Sequence, residues 1–159
     1  CRFALLRTTA PPSWQSSLFP HAGRTEGRPM IAADTSTWIA FLEGAPGEDV
    51  ALLEKALEDR LVLMLPVVLT EVFSDPDLPG AVSEALLDLP LVELRPGYWQ
   101  RAGPLWAKVL ARRRKARLGD ALIAQSCIDN GIPLLTRDRD FLAFGAAAGL
   151  DLVVGANTR

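Results

Sequence analysis

Histidine is nearly absent. The only one among 159 residues is His21, and residues 30–159 contain none. That removes Ser-His-Asp and Cys-His catalysis, paired-histidine RNA cleavage and histidine-ligated zinc from most of the chain. Cysteine is scarce as well: Cys1 and Cys127 stand at opposite ends and make neither a zinc nor a disulfide framework. A reducing, cytoplasmic setting fits that usage. No apolar run reaches the roughly 18 residues of a transmembrane helix, so no membrane association is expected. Neither G-x-G-x-x-G nor a P-loop occurs, which disfavours a nucleotide-binding module. Basic charge is not in excess either. Residues 1–29 hold four Arg and one Glu, and the remainder holds 13 basic and 18 acidic residues, a net of −5. That is no general footprint for nucleic acid, so a polyanion would need a local patch or metal ions. An enzyme made from this chain works with carboxylates and hard cations.

What is present is a core. The chain is 49% hydrophobic and 23% charged, enough to fold as one domain rather than remain disordered. Residues 1–29 are rich in Pro, Ser, Thr, Gly and Arg without periodicity. They read as an N-terminal extension, disordered or non-native, and the patterned domain spans 30–159. The segment Arg2 to Leu6 is too short for a secretory core and no A-x-A site follows it.

From Met30 onward strand and helix signals alternate. Met30–Ala33 reads as a buried strand, Ser36 to Leu42 as a helix ended by Gly44, Pro46 and Gly47, and Val50–Asp59 as an amphipathic helix. Leu61–Leu65 is an apolar run of strand length, and Pro66 opens a helix over Val67–Ser74. After a Pro- and Asp-rich loop come a helix over Ala81–Asp88 and a strand over Leu91–Leu94. A longer helix starts at Pro96 and reaches about Lys115, with Gly103 and Pro104 expected to break or kink it. Asp120–Asn130 is a helix with Asp120 as its cap and Gly131 past its end. Ile132–Leu135 and Leu152–Val154 are strands around a helix at Phe141–Ala148. This alternation specifies a three-layer α/β/α sandwich with a central, mainly parallel sheet. Such sheets place their sites at the carboxyl ends of strands, which singles out Asp34 and the run Thr136–Asp138.

Four acids carry the functional reading. Asp34 directly follows the first strand, although a helix cap explains it equally. Glu71 is the only charge within Val67-Val68-Leu69-Thr70-Glu71-Val72-Phe73, and a carboxylate there must point outward or find a partner. Asp120 sits at a helix start, where the dipole stabilises and orients its charge, and capping alone also accounts for it. Asp138 and Asp140 share one loop. Asp140 is placed to cap the helix at Phe141, leaving Asp138 free beside the Thr136 hydroxyl. Taken jointly, these carboxylates gather at one sheet edge and repel one another. Mg²⁺, or Mn²⁺, relieves that repulsion through oxygen ligands, and can activate water against a phosphodiester.

The runs Ile31-Ala32-Ala33-Asp34-Thr35-Ser36, Leu69-Thr70-Glu71-Val72, Leu118-Gly119-Asp120-Ala121-Leu122-Ile123-Ala124 and Leu134-Leu135-Thr136-Arg137-Asp138-Arg139-Asp140-Phe141 occur in this order over nearly all of 30–159. In that order and spacing the chain resembles the PIN-domain family, and specifically VapC-type toxins of toxin–antitoxin pairs. The resemblance implies a metal-dependent ribonuclease. Asp34, Glu71, Asp120 and Asp138 match its acidic quartet, with Asp34, Asp120 and Asp138 as the main metal ligands. Ser36 and Thr136 match supporting polar positions, and Asp140 rivals Asp138 for the fourth place. A homodimer and a small antitoxin that blocks the site are also implied. Residues 1–29 match nothing in that family.

Arg112, Arg113, Arg114, Lys115 and Arg117 form the one dense basic run. They read either as a solvated helix end or as an RNA-binding rim that offsets the acidic site, with Arg137 and Arg139 as additions. Trp38, Tyr98, Trp99 and Trp106 have helical spacing that favours packing over base stacking. An Asp-x-Asp phosphatase is disfavoured because Ser36 stands two places after Asp34. The alternative to an enzyme is a degenerate PIN domain that only binds RNA or protein.

Overall fold

The computed structural model describes residues 29–112 and 114–154. The extension expected over 1–29 therefore lies outside the described residues except for Pro29, as does Arg113. Three strands, β1 (Ala32–Ala33), β2 (Leu134–Thr136) and β3 (Leu152–Val154), pair in parallel in the order β1-β2-β3. Ala32 lies opposite Leu134 and Ala33 opposite Leu135; Leu134, Leu135 and Thr136 lie opposite Leu152, Val153 and Val154. Two single parallel bridges continue the sheet on the far side of β1, from Ile31 to Val62 and from Met64 to Leu91. Across the sheet the chain thus runs Leu91, Val62–Met64, β1, β2, β3. The direction of winding reverses between β1 and β2, which opens a crevice beyond their carboxyl ends.

Among the described residues seven helices connect these strands: α1 (Thr35–Leu42), α2 (Glu48–Glu58), α3 (Pro66–Phe73), α4 (Gly80–Leu87), α5 (Tyr98–Ala111), α6 (Leu118–Asn130) and α7 (Leu142–Ala148), the last preceded by a 3₁₀ turn over Arg139–Phe141. α1 packs on α2 and α3, whereas α5, α6 and α7 pack on one another. Right-handed crossovers demand this division, because the chain moves one way from β1 and the other way into β2 and β3. The sandwich expected from the sequence is present. Its core is the meeting of sheet and helices, with Trp38, Leu53, Met64, Leu134, Leu135, Phe141 and Phe144 all buried. Cys127 is buried in α6, and burial pushes its thiol up to about 12.

Four expectations about the elements are corrected. The Leu91–Leu94 run makes only the bridge at Leu91; beyond it the Asn130 side chain donates to the Glu93 carbonyl (3.2 Å) and accepts from Arg95 (3.1 Å), so side-chain bonds replace a ladder. The long helix begins at Tyr98 rather than Pro96, because Gly97 takes a left-handed φ of 78° before it. It runs unbroken through Pro104. Pro104 lies on the exposed face, as does Gln100, whose carbonyl loses its helical donor and can turn to water. The helix also stops at Ala111, so the basic run forms the α5–α6 connection rather than a helix end. Cations spaced three and four apart on one helix repel, and an open segment relieves them.

Candidate active site

One cavity of about 550 Å³ opens at the carboxyl edge of the sheet, and Asp34, Glu71, Asp120 and Asp138 all line it, with Thr35, Ser36 and Arg117. Each acid reaches it by a local device. Asp34 extends β1 by one residue, donating its N–H to the Leu135 carbonyl (3.1 Å), and its side chain caps α1. Oδ1 accepts from the Thr37 N–H (3.1 Å), and Oδ2 accepts from the Ser36 hydroxyl (2.6 Å) and N–H (3.3 Å). The residue is only 3% exposed. Burial therefore drives its pKa above the usual carboxylate value, against the hydrogen bonds from Ser36 and Thr37.

Glu71 arrives from α3, which Pro66 starts in its first turn. Its Oε2 accepts a short hydrogen bond from the Thr35 hydroxyl. Its Oε1 rests against the first turn of α6, where a Cβ added at Gly119 would stand 2.7 Å from it. Any side chain at 119 would displace that carboxylate. Thr35 and Gly119 belong to the runs that carry the family resemblance but were not expected at the site. A glycine in the first turn of a helix, beside an acid, was the available signal.

Asp120 is the third residue of α6, not its cap. Arg117 takes the capping position in extended conformation, and Asp120 reaches back to accept its N–H (2.8 Å). Burial raises its pKa; the Arg117 N–H opposes this and the Asp138 charge adds to it. Asp138, rather than Asp140, caps the 3₁₀ turn. Its Oδ1 accepts the Asp140 N–H (2.8 Å), because that turn starts at Arg139, two residues before the helix expected at Phe141. Thr136 is fully buried and its hydroxyl accepts the Asp138 N–H (2.9 Å). It shapes the turn from below and does not line the cavity. Asp140 lies on the other side of that turn, in a second cavity with Arg112, Arg114, Lys115 and Arg139. The geometry thus favours Asp138 over Asp140 as the fourth acid of the crevice.

Arg137 does not join the basic rim. It makes a bidentate pair with the buried Asp49, at 2.8 and 3.0 Å, which ties the Asp138 turn to the start of α2. A side chain at Gly47 would collide with both partners. Burial acts to raise the Asp49 pKa, but the Arg137 hydrogen bonds and charge outweigh it and hold the carboxyl low. Of the aromatic residues, Trp38 and Tyr98 are buried, the Tyr98 hydroxyl donates to the Leu122 carbonyl (2.7 Å), and the Trp106 indole donates to the Ala116 carbonyl (3.1 Å). Packing is their role; Trp99 alone of the four is largely exposed.

Among the described residues the donor set is carboxylate and hydroxyl oxygen, with no histidine or cysteine ligand, which suits a hard divalent cation. Two of the acids already have raised pKa values, so a cation would relieve a real cost. Among the described residues, however, no three acidic, histidine or cysteine groups are gathered tightly enough to hold an ion as they stand. Each carboxylate is drawn partly onto a donor of its own. The fit to a metal therefore lies in donor chemistry and convergence on one cavity, not in a finished coordination sphere.

A family model described as PIN domain matches residues 31–147. No curated protein matches the chain. Among solved structures the chain is similar to VapBC2 from Rickettsia felis bound to a DNA fragment from their promoter (16% identity, 79% of this chain, 98% of that chain, TM-score 0.60). It is similar to VapBC-5 from Mycobacterium tuberculosis, a member of the VapBC family of toxin–antitoxin systems (20% identity, 80% and 99% covered, TM-score 0.60). A third is DNA-bound VapBC from Salmonella typhimurium (16% identity, 80% and 98% covered, TM-score 0.62). At these identities the likeness bears on the fold, and it extends over almost the whole of each matched chain. No helix among the described residues is long and apolar enough to cross a membrane.

Proposed function

The chain belongs to the PIN domain family, and from that premise we propose that it is the toxin of a toxin–antitoxin pair, a metal-dependent endoribonuclease. The observation that carries this reading is the convergence of Asp34, Glu71, Asp120 and Asp138 on one crevice at the switch point of a parallel sheet. The toxin assignment draws on the VapBC structures that share the fold. Asp34, Asp120 and Asp138 would hold Mg²⁺ or Mn²⁺, with Ser36 fixing the Asp34 carboxylate and Thr136 fixing Asp138. Such an ion, when bound, supplies positive charge against a scissile phosphate and makes water more acidic.

The chain's own residues do the rest. Glu71, seated between Thr35 and Gly119, is placed to accept a proton from water at the crevice wall. Arg117 at the rim offers a positive charge to the incoming strand. The neighbouring run Arg112–Lys115 adds a sequence-independent attraction for RNA. The proposal includes a homodimer and a small antitoxin that covers the crevice, acting in a reducing cytoplasm.

The test is cleavage of a mixed single-stranded and structured RNA pool by the full chain in Mg²⁺, Mn²⁺ and EDTA, with Asp34→Asn purified in parallel. Metal-dependent cutting that disappears in the variant supports the ribonuclease; equal cutting by both overturns the site. One observation favours a second reading, a PIN domain that binds RNA or protein without catalysis: among the described residues no three acids stand close enough together to hold an ion as they are. Metal titration separates the two. A catalytic site loses affinity when Asp34 and Asp120 become Asn, whereas a non-catalytic module loses little.

A further inference from the structure

The second cavity, about 790 Å³, draws Arg112, Arg114, Lys115 and Arg139 together against one acid among the described residues, Asp140. Among the described residues no hydrogen bond or ion pair engages these four side chains. Other arginines of the domain are occupied: Arg95 by Asn130, Arg101 by Asp129, Arg137 by Asp49. Cations held in one concavity without partners repel each other and are positioned for an anion. The cavity is not lined by cations alone. Leu142, Ala143 and Ala146 of α7 form an aliphatic ledge along it, with Leu142 exposed. A bare phosphate needs neither that volume nor that ledge, whereas a nucleotide uses both.

The position is equally informative. Asp138 faces the carboxylate crevice and Asp140 faces this cavity. Two residues span at most about 7 Å, of the order of one backbone step along an extended strand. We propose that the basic cavity seats one unpaired nucleotide next to the bond being cut, its phosphate among Arg114, Lys115 and Arg139 and its ribose and base against the α7 ledge. This rests on the RNA-cleaving reading above and adds to it a defined seat for the nucleotide beside the cut, with α7 as its wall. A duplex presents phosphates to such a cavity but keeps its base faces stacked.

The experiment uses the full chain carrying Asp34→Asn, in EDTA, so that RNA is bound and not cut. The probes are a fluorescein-labelled oligouridylate, the same strand paired with oligoadenylate, inorganic polyphosphate, and a polyglutamate peptide. Lys115→Gln/Arg139→Gln should weaken oligouridylate binding about tenfold and flatten its log–log salt slope by about 0.7 per lost phosphate contact. Leu142→Ser should weaken oligouridylate several-fold, leave the salt slope alone and leave polyphosphate binding unchanged. The duplex should bind more weakly than the single strand. An unchanged slope in the charge variant overturns the proposal. So does equal binding of duplex and single strand, or a silent Leu142→Ser, which leaves a plain anion site. Loss of polyglutamate binding with oligouridylate unaffected reassigns the cavity to an acidic protein segment. The cleavage assay fails separately. If the unsubstituted chain never cuts RNA while these binding results hold, the subsite stands and the nuclease reading falls. If RNA is cut with metal and the variants bind as the parent does, the subsite falls alone.

Discussion

The two cavities on either side of the Asp138–Asp140 turn are built in opposite ways. In the acidic one every carboxylate is held by a donor of its own: Asp34 by Ser36 and Thr37, Glu71 by Thr35, Asp120 by the Arg117 N–H, Asp138 by the Asp140 N–H. In the basic one the four cations have no partner among the described residues, and three of them lie on the open connection between α5 and α6. The difference suits the work proposed for each. Holding a cation and a reacting phosphate requires fixed positions, and helix caps and strand ends supply them. Drawing in a polyanion requires charge within a Debye length, which a loop provides without fixed geometry.

The largest effect is expected from an isosteric change on the acidic side. Asp34→Asn or Asp120→Asn should lower cleavage on the order of 10³-fold while the chain stays folded, since Asn caps α1 as well as Asp does. Thermal unfolding run beside the cleavage assay checks both parts. Retained activity would mean that the negative charge of these acids is not needed for cutting.

Arg137 sharpens the contrast, being the one arginine of the turn that is tied down. Arg137→Ala leaves Asp49 buried without its cation. The loss should be about 2 kcal/mol, between the values for exposed and fully buried pairs, because the Arg137 side chain is about a third exposed. The same pair sets a pH dependence. The Asp49 pKa is lowered from 3.8 in the folded chain, so its contribution is complete above that value and fades as pH falls below it. Urea unfolding from about pH 7 down to about pH 2 should show an acid limb that Asp49→Asn flattens.

Gly119→Ala tests position without touching charge. Alanine suits a helix better than glycine by about 1 kcal/mol, but its Cβ would push on the Glu71 carboxylate. Cleavage should fall about tenfold with no loss of stability. Combined with Glu71→Gln, the two effects should not add. The smallest effect is expected at Asp140→Asn. It should leave kcat within about twofold, whereas Asp138→Asn removes it; an equal loss in both would return Asp140 to the crevice.

Much of this architecture is legible in the residues alone. The alternation of strand and helix patterns specifies the sandwich, and the position of Asp34 after Ile31-Ala32-Ala33 points to the carboxyl edge. What escapes are features fixed by single backbone torsions and by side chains distant in sequence. Nothing local announces that Gly97 turns left-handed, or that Arg117 rather than Asp120 caps α6. Arg137 looks like one more member of a basic run; its partner Asp49 lies 88 residues away, on α2. Capping is legible in the Asp138–Asp140 loop, but the pattern assigns it to Asp140, since the 3₁₀ turn that shifts the start by two residues leaves no mark in the sequence.

The buried Cys127 gives the domain a built-in clock. A thiol whose pKa is about 12 is almost wholly protonated at neutral pH, and no reagent reaches it while α6 is seated on the core. Its alkylation, followed on the α6 peptide, should therefore advance only as fast as that helix lifts. Because α6 also carries Gly119 and Asp120, the labelling rate times the opening of the helix that presents part of the acidic crevice. Anything that binds there and holds the crevice shut should slow the clock in proportion to its occupancy.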